Sequence, residues 1–174
     1  MKKHLTNLLN FLKRFFGKKK ETMPNPIPTP NPLPDPGIYL SAKQVKEELR
    51  KQLAGKLSGS VKIYLPDQLY YCPDLAYTEE LIENSMLDKK RWIAEMFDCD
   101  DFSWVLKSEF VLDAYRAGIR RAPHCFGIVH GLLPSPHAIN WVLNSDGIVR
   151  FVEAQTDDIF LPRETDKNIW LLMS

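Results

Sequence analysis

Three residues in the second half of the chain have side chains that together could perform nucleophilic chemistry: Cys99, His137 and Glu153. They follow one another in the order thiol, imidazole, carboxylate. A thiol beside an imidazole can act as a nucleophile, because the imidazole takes its proton and a carboxylate holds the imidazole in place. The order therefore predicts a thiol hydrolase in which Cys99 attacks a peptide or amide carbonyl.

The sequence around Cys99 predicts the start of a helix. Asp98 is a favourable N-cap, and the apolar residues after it recur at helical spacing as far as Phe110. A thiolate in a first turn is stabilised by unpaired backbone N–H groups and by the helix dipole. The acids Asp100 and Asp101 disfavour a thiolate there, unless a divalent cation offsets their charge. We therefore expect a calcium site at Asp100 and Asp101, because paired carboxylates suit calcium; alternatively, the two acids only complement the helix dipole.

A predicted hairpin relates His137 to Glu153. The strand 137–143 is followed by the loop 145–147, in which Gly147 suits a left-handed conformation, and then by a second strand. A three-residue loop puts Ile139 opposite Glu153, so that His137 and Glu153 share one face and lie diagonally within side-chain reach. A loop of two or four residues would put them on opposite faces. The register is therefore a requirement of the hypothesis.

The remaining patterns predict helices in the first half of the domain and strands in the second. Helices are expected at 41–55, 78–86, 88–96 and 98–118, and strands at 61–65, 126–132, 137–143, 148–155 and 168–173. Helices followed by an antiparallel sheet predict an α+β fold, with a helical N-terminal half packed on a C-terminal sheet.

Composition divides the 174 residues into three parts. Hydrophobic residues make up 44% and charged residues 26%, which is typical of a soluble globular protein. Residues 1–22 form a basic amphipathic tail, 23–37 a proline-rich linker and 38–174 the folded domain. The first twenty residues hold seven Lys or Arg and no acid, and the rest of the chain has a net charge of −6. The overall net charge of +1 therefore conceals a basic tail on an acidic body.

The tail and the linker predict a tethered surface-binding helix. Apolar residues between Leu5 and Phe16 recur at helical spacing among lysines, which suits an anionic membrane surface, a partner protein or the chain's own domain. Nucleic acid is the less favoured partner. Proline occupies every second position from Pro24 to Pro36 and predicts a semi-rigid polyproline II spacer. Polar residues interrupt the apolar run, so no cleavable signal peptide is expected, and a cytoplasmic or peripheral membrane location is predicted.

The three cysteines, Cys72, Cys99 and Cys125, are odd in number and widely spaced. They predict neither a disulfide framework nor a zinc site, and a reduced compartment is the expectation.

The motifs around the three chemical residues resemble a known family. The segments Cys99-Asp100-Asp101-Phe102, His137-Ala-Ile-Asn140 and Val152-Glu153-Ala-Gln155-Thr156 resemble the C-terminal domain of the fairy-ring mushroom agglutinin. The likeness covers about Tyr70 to Phe160. The basic tail and linker stand where that agglutinin has a sugar-binding trefoil domain, so sugar targeting is not expected to carry over.

The resemblance implies a papain-like, calcium-dependent cysteine protease or amidase. It implies that Cys99 is the nucleophile, His137 the general base and Glu153 the orienting carboxylate of a Cys-His-Glu triad. Trp92 matches a tryptophan that gates the site, and Gln155 matches a supporting glutamine. The implied substrate is a peptide or protein, and the implied cofactor is calcium at Asp100 and Asp101. The alternative is a non-enzymatic adaptor, or a phage or bacterial assembly protein, on a papain-like fold.

Overall fold

The computed structural model describes residues 37–117 and 121–174. Its elements, in chain order, are β1 (Ile38–Ser41), α1 (Ala42–Gln52), β2 (Leu57–Tyr64), β3 (Leu69–Cys72), α2 (Leu75–Ser85), α3 (Cys99–Arg116), β4 (Phe126–Leu132), β5 (Pro136–Leu143), β6 (Val149–Glu153), β7 (Asp158–Phe160) and β8 (Lys167–Met173). A single 3-10 turn, Leu87–Lys89, follows α2. The predicted tail and linker at 1–22 and 23–37 lie outside these residues, apart from Gly37.

Six of the strands form one mixed sheet in the order β2-β8-β4-β5-β6-β7, and β1 pairs with β3 in a separate two-stranded sheet. β2 runs parallel to β8, and every other pair in the large sheet is antiparallel. The large sheet thus takes one edge strand from the first half of the domain and the other five from the second half.

Each face of the large sheet packs against a different helix. One face carries Trp141 and Phe151 into a core that also contains Val45 and Leu49 of α1. The other face carries Val142 into a second core with residues of α3. The side chains of a strand alternate between the two faces, so the residue number decides which helix a β5 or β6 side chain meets.

The β5–β6 register is the one that the hairpin loop predicts. Trp141 lies opposite Phe151 and Leu143 opposite Val149. Gly147 has a φ of 77°, which a glycine adopts without strain, and its N–H donates to the carbonyl of Asn144. The three-residue loop therefore fixes the face on which Glu153 lies.

The predicted α+β, papain-like fold class is wrong. The domain is mainly β, and its first half is not a helical layer packed on a separate sheet, because β2 joins the large sheet and β1 and β3 form a second one. The helix predicted at 88–96 is absent from the described residues, where Ile93 and Phe97 form a β-bridge instead. The helices beginning at Ala42 and Cys99 are confirmed, and the capping box of Ser41 and Gln44 forms as predicted.

None of the described helices is both long enough and apolar enough to cross a membrane.

Candidate functional site

His137 and Glu153 form a hydrogen-bonded pair on one face of the large sheet. The Nε2 atom of His137 lies 2.7 Å from Oε2 of Glu153, and both side chains are about one-fifth exposed. The pair forms because the observed register places the two residues diagonally on adjacent strands, as the sequence predicts. A carboxylate within hydrogen-bond distance fixes the orientation of the imidazole ring.

Gln155 supports the carboxylate from the turn after β6. Both its backbone N–H and its side-chain amide donate to Oε1 of Glu153, at 3.2 and 3.3 Å. Each oxygen of Glu153 therefore has a partner within the protein. The role of Gln155 as a supporting residue of a site stays a prediction.

The pair opens onto a groove of about 340 Å³. Ile139 lies in the groove beside the pair, and Phe160 contributes an aromatic ring from β7. The guanidinium carbon of Arg163 lies 3.9 Å from the centre of the Phe160 ring. The remaining lining residues are Leu133, Pro134, Ser135, Thr156 and Asp158. The groove thus combines carboxylates, a cation, hydroxyls and an imidazole with an apolar surface.

Cys99 lies at the first position of α3, on the other side of the sheet. Asn140 points to that side, because its side-chain amide donates to the carbonyl of Ser103 in α3 at 2.9 Å. His137 is an odd number of positions away along β5 and faces the opposite side. Among the described residues, no hydrogen bond joins Cys99 to His137, and Cys99 does not line the groove. The structure therefore joins two of the three predicted residues by a hydrogen bond, which Cys99 does not share.

Trp92 is also outside the groove. Its side chain is about half exposed and lies in the segment before the Ile93–Phe97 bridge. The roles assigned from the resemblance to Trp92, Cys99, His137, Glu153 and Gln155 stay predictions.

The acidic cluster at the start of α3 differs in detail from the predicted calcium site. Potential ligand atoms of Asp98, Cys99 and Asp100 lie within 4.8 Å of one another. Asp101 instead accepts the backbone N–H of Asp98 through Oδ2, at 3.2 Å, and so caps the helix. The carboxylates of Asp98 and Asp100 suit a hard cation, whereas a thiol does not.

The two carboxyls interact strongly. The hydrogen bond with Asp98 raises the pKa of the Asp100 carboxyl, and the same hydrogen bond lowers the pKa of the Asp98 carboxyl. Two carboxylates this close share a proton unless a cation is present. A divalent cation therefore fits Asp98 and Asp100 better than the predicted pair of Asp100 and Asp101.

Sequence reasoning missed the far wall of the groove. Asp158 lies opposite Glu153 in the β6–β7 ladder, and Phe160 lies opposite Phe151. The sequence between Gln155 and Arg163 contains a short strand whose three residues, Asp158–Phe160, are too few to show a period. The sequence feature that could have indicated this wall is Phe160, which follows Asp157 and Asp158 after the predicted hairpin.

The matched family covers the central part of the domain, including His137, Glu153 and most of the groove. The family model described as "Agglutinin C-terminal" matches residues 70–159, which is more than half of the chain. The chain belongs to the agglutinin C-terminal family. No curated protein matches the chain.

Two solved structures share the fold of this agglutinin C-terminal domain. One is the PSL1a-E64 complex, with a TM-score of 0.67, and the other is the Polyporus squamosus lectin bound to the human-type influenza-binding epitope Neu5Acα2-6Galβ1-4GlcNAc, with a TM-score of 0.64. Each is 24% identical over 78% of this chain. The chain covers only 51% and 49% of their lengths, so it spans about half of each structure.

These similarities overturn the predicted activity. The chain belongs to an agglutinin family and shares its fold with a lectin, so the prediction of a calcium-dependent cysteine protease or amidase is wrong. The predicted peptide or protein substrate, and the alternative of an adaptor or assembly protein on a papain-like fold, are corrected with it.

Proposed function

We propose that the domain binds a carbohydrate in the groove beside His137 and Glu153. The observation that supports this most strongly is the composition of the groove. Hydrogen-bonding groups of both kinds surround an apolar surface formed by Ile139 and Phe160. Small-molecule sites commonly combine an apolar lining with a few polar groups that fix the orientation of the ligand.

The polar groups match the chemistry of sugar hydroxyls, which both donate and accept hydrogen bonds. Glu153 and Asp158 accept, Arg163 donates, and the hydroxyls of Ser135 and Thr156 do either. Hydrogen bonds to charged groups are stronger than neutral ones, so the carboxylates contribute most to affinity.

The rings of a sugar also have apolar C–H faces. Ile139 is buried beneath the pair, and Phe160 is partly buried at the edge of the groove, where Arg163 covers one face of its ring. Contact of these side chains with a C–H face would remove apolar surface from water.

The Polyporus squamosus lectin supports an acidic sugar as the candidate ligand. Its glycan is sialylated, and the exposed guanidinium of Arg163 could pair with a carboxylate of that kind. This proposal replaces the expectation that sugar targeting does not carry over. Because the chain spans only about half of that lectin, the proposal has to be tested on this chain alone.

A glycan array probed with the purified chain tests the proposal. We expect retention on sialylated N-acetyllactosamine, and weaker retention for Arg163→Ala. Arg116→Ala is the matched control, because Arg116 is exposed at the end of α3 and does not line the groove. Retention on no glycan, or equal loss in both variants, would contradict a sugar site in the groove.

We further propose that Asp98 and Asp100 hold a divalent cation, with calcium as the candidate. The support is the close approach of their carboxylates and the raised pKa of Asp100. The cation would neutralise the two acids at the start of α3 and stabilise the first turn. It lies outside the groove, so the sugar proposal does not depend on it.

A further inference from the structure

Two of the cysteines meet in the core although 53 positions separate them in the sequence. Tyr71 and His124 form a parallel β-bridge between β3 and the residues that precede β4. The N–H of Tyr71 donates to the carbonyl of Pro123 at 2.8 Å, and the N–H of Cys125 donates to the carbonyl of Tyr71 at 2.6 Å. The next pair in this ladder is Cys72 and Cys125.

The ladder fixes the direction of the two thiols. Side chains alternate along each strand, so the thiols point to the face opposite that of Tyr71 and His124. Both cysteines belong to the same buried core cluster and have no exposed surface. The Cys72 thiol is close enough to raise the pKa of the Cys125 thiol. Adjacent strands lie about 4.8 Å apart, which falls within the backbone separation of about 4.4–6.8 Å found in disulfides.

We propose that Cys72 and Cys125 form a disulfide when the protein meets an oxidant such as hydrogen peroxide. The bond would join the small β1–β3 sheet to the large sheet. Cys99 lies apart, at the start of α3 between two carboxylates, and takes no part in the bond.

The chemistry balances with peroxide as the two-electron oxidant. The sulfur of one thiol attacks a peroxide oxygen, the O–O bond breaks, and a sulfenic acid forms with release of water. The sulfur of the second thiol then attacks the sulfenic sulfur, the S–O bond breaks, and the proton of the second thiol leaves with the hydroxyl as water. The two sulfurs are oxidised, and one peroxide is reduced to two water molecules.

Nearby groups explain why the reaction should be slow in the folded protein. Burial and the neighbouring Cys72 thiol raise the pKa of the Cys125 thiol, whereas the charge of Lys107 acts in the opposite direction. The thiolate is the reactive form of cysteine, and the raised pKa keeps the Cys125 thiol protonated in the folded core. Oxidation of the pair therefore requires the core near Lys107 to open locally. We therefore expect Cys99, which is only half-buried, to be oxidised before the pair.

The test uses the full chain and its Cys99→Ser variant, treated with hydrogen peroxide under native conditions and mapped by peptide mass spectrometry. We expect both proteins to yield a peptide linking Cys72 to Cys125, and the Cys99→Ser variant to lose the mass of two hydrogen atoms. In the wild type, oxygen added to Cys99 accompanies this loss. A reducing agent should reverse both changes, and the oxidised variant should have a higher Tm than the reduced one.

Two controls make the result specific. A Cys125→Ala change in the Cys99→Ser background should abolish the linked peptide, and Cys72→Ala provides the same control if that protein does not fold. Wild-type protein oxidised in denaturant should give mixed pairings that include Cys99, because the fold no longer selects partners. A native product linked through Cys99, or oxidation of Cys72 and Cys125 without a link, would overturn the proposal.

Discussion

The imidazole Nε2 of His137 lies 2.7 Å from the carboxylate Oε2 of Glu153 across two neighbouring strands of the large sheet. The contact exists because a three-residue loop sets the register of the two strands. It places an oriented imidazole and a supported carboxylate at one end of an open groove. Cys99, which the order of residue types grouped with this pair, has no hydrogen bond to it.

The buried Asn144 ties the hairpin to α2. Its side-chain amide donates to the carbonyls of Pro73 and Asp74 and, at 2.8 Å, to the hydroxyl of Thr78. An Asn144→Ala substitution removes these three hydrogen bonds from a buried position and is expected to lower the free energy of unfolding by about 3 kcal/mol. Urea unfolding measures the loss. Ser145→Ala is the matched control, and a loss no larger than that of the control would contradict this role.

Lys107 is a partly buried cation that links α3 to the sheet. Its Nζ donates to the carbonyl of Phe126 at 2.9 Å and to the hydroxyl of Ser174 at 3.2 Å, and burial lowers its pKa to about 8. The folded state therefore loses this proton at a lower pH than the unfolded state, where the pKa is near 10.5. As the pH rises above 8, the unfolded state binds more protons, so this residue increases the stability of the fold.

Comparison of the wild type with Lys107→Met isolates this effect. Between pH 7 and 10 the free energy of unfolding of the wild type should rise by about 2 kcal/mol relative to that of Lys107→Met. Lys46→Met changes an exposed helical lysine and should follow the wild-type pH profile. Parallel profiles for the wild type and Lys107→Met would show that the ammonium is not buried in solution.

Cys99 is the most accessible of the three thiols. It is half-buried, whereas Cys72 and Cys125 have no exposed surface. Iodoacetamide at neutral pH should therefore modify Cys99 well before the other two, because alkylation of a buried thiol requires opening of the core. Peptide mass spectrometry over time gives the three rates, and equal slow rates would contradict the observed position of Cys99.

Calcium should stabilise the domain through Asp98 and Asp100. A cation that binds only the folded state raises the Tm with concentration. Asp100→Asn should abolish this rise in Tm. Asp101→Asn should retain it, although loss of the helix cap lowers the Tm in the absence of calcium. Differential scanning calorimetry measures both effects, and a wild-type Tm that calcium does not change would contradict the cation site.

Local patterns predicted the parts of the fold that local physics determines. The cap at Ser41, the helix beginning at Cys99 and the loop at Gly147 depend on residues within a few positions of one another. The loop alone was enough to place His137 beside Glu153. Asn140 and Lys107, by contrast, gave no local signal of their contacts with distant carbonyls.

Most of the errors arose where distant segments meet, and one arose at a local turn. β2 pairs in parallel with β8, and no pattern within β2 indicates that partner, so the mixed sheet was predicted as an antiparallel one. Periodicity at 88–96 favoured a helix, but the left-handed residue at Glu95 (φ 59°) permits a tight turn that brings Phe97 back to Ile93. Separation in the sequence likewise concealed the contact between Cys72 and Cys125.

Isothermal titration calorimetry of the purified chain with Neu5Acα2-6Galβ1-4GlcNAc tests the proposed sugar site most directly. We expect saturable binding by the wild type. Glu153→Gln removes a charged acceptor from the groove and should bind with an affinity at least about tenfold lower. Glu47→Gln changes an exposed glutamate on α1 and should bind with the affinity of the wild type. The absence of saturable binding by the wild type, or equal affinities of the wild type and Glu153→Gln, would contradict binding of this glycan in the groove.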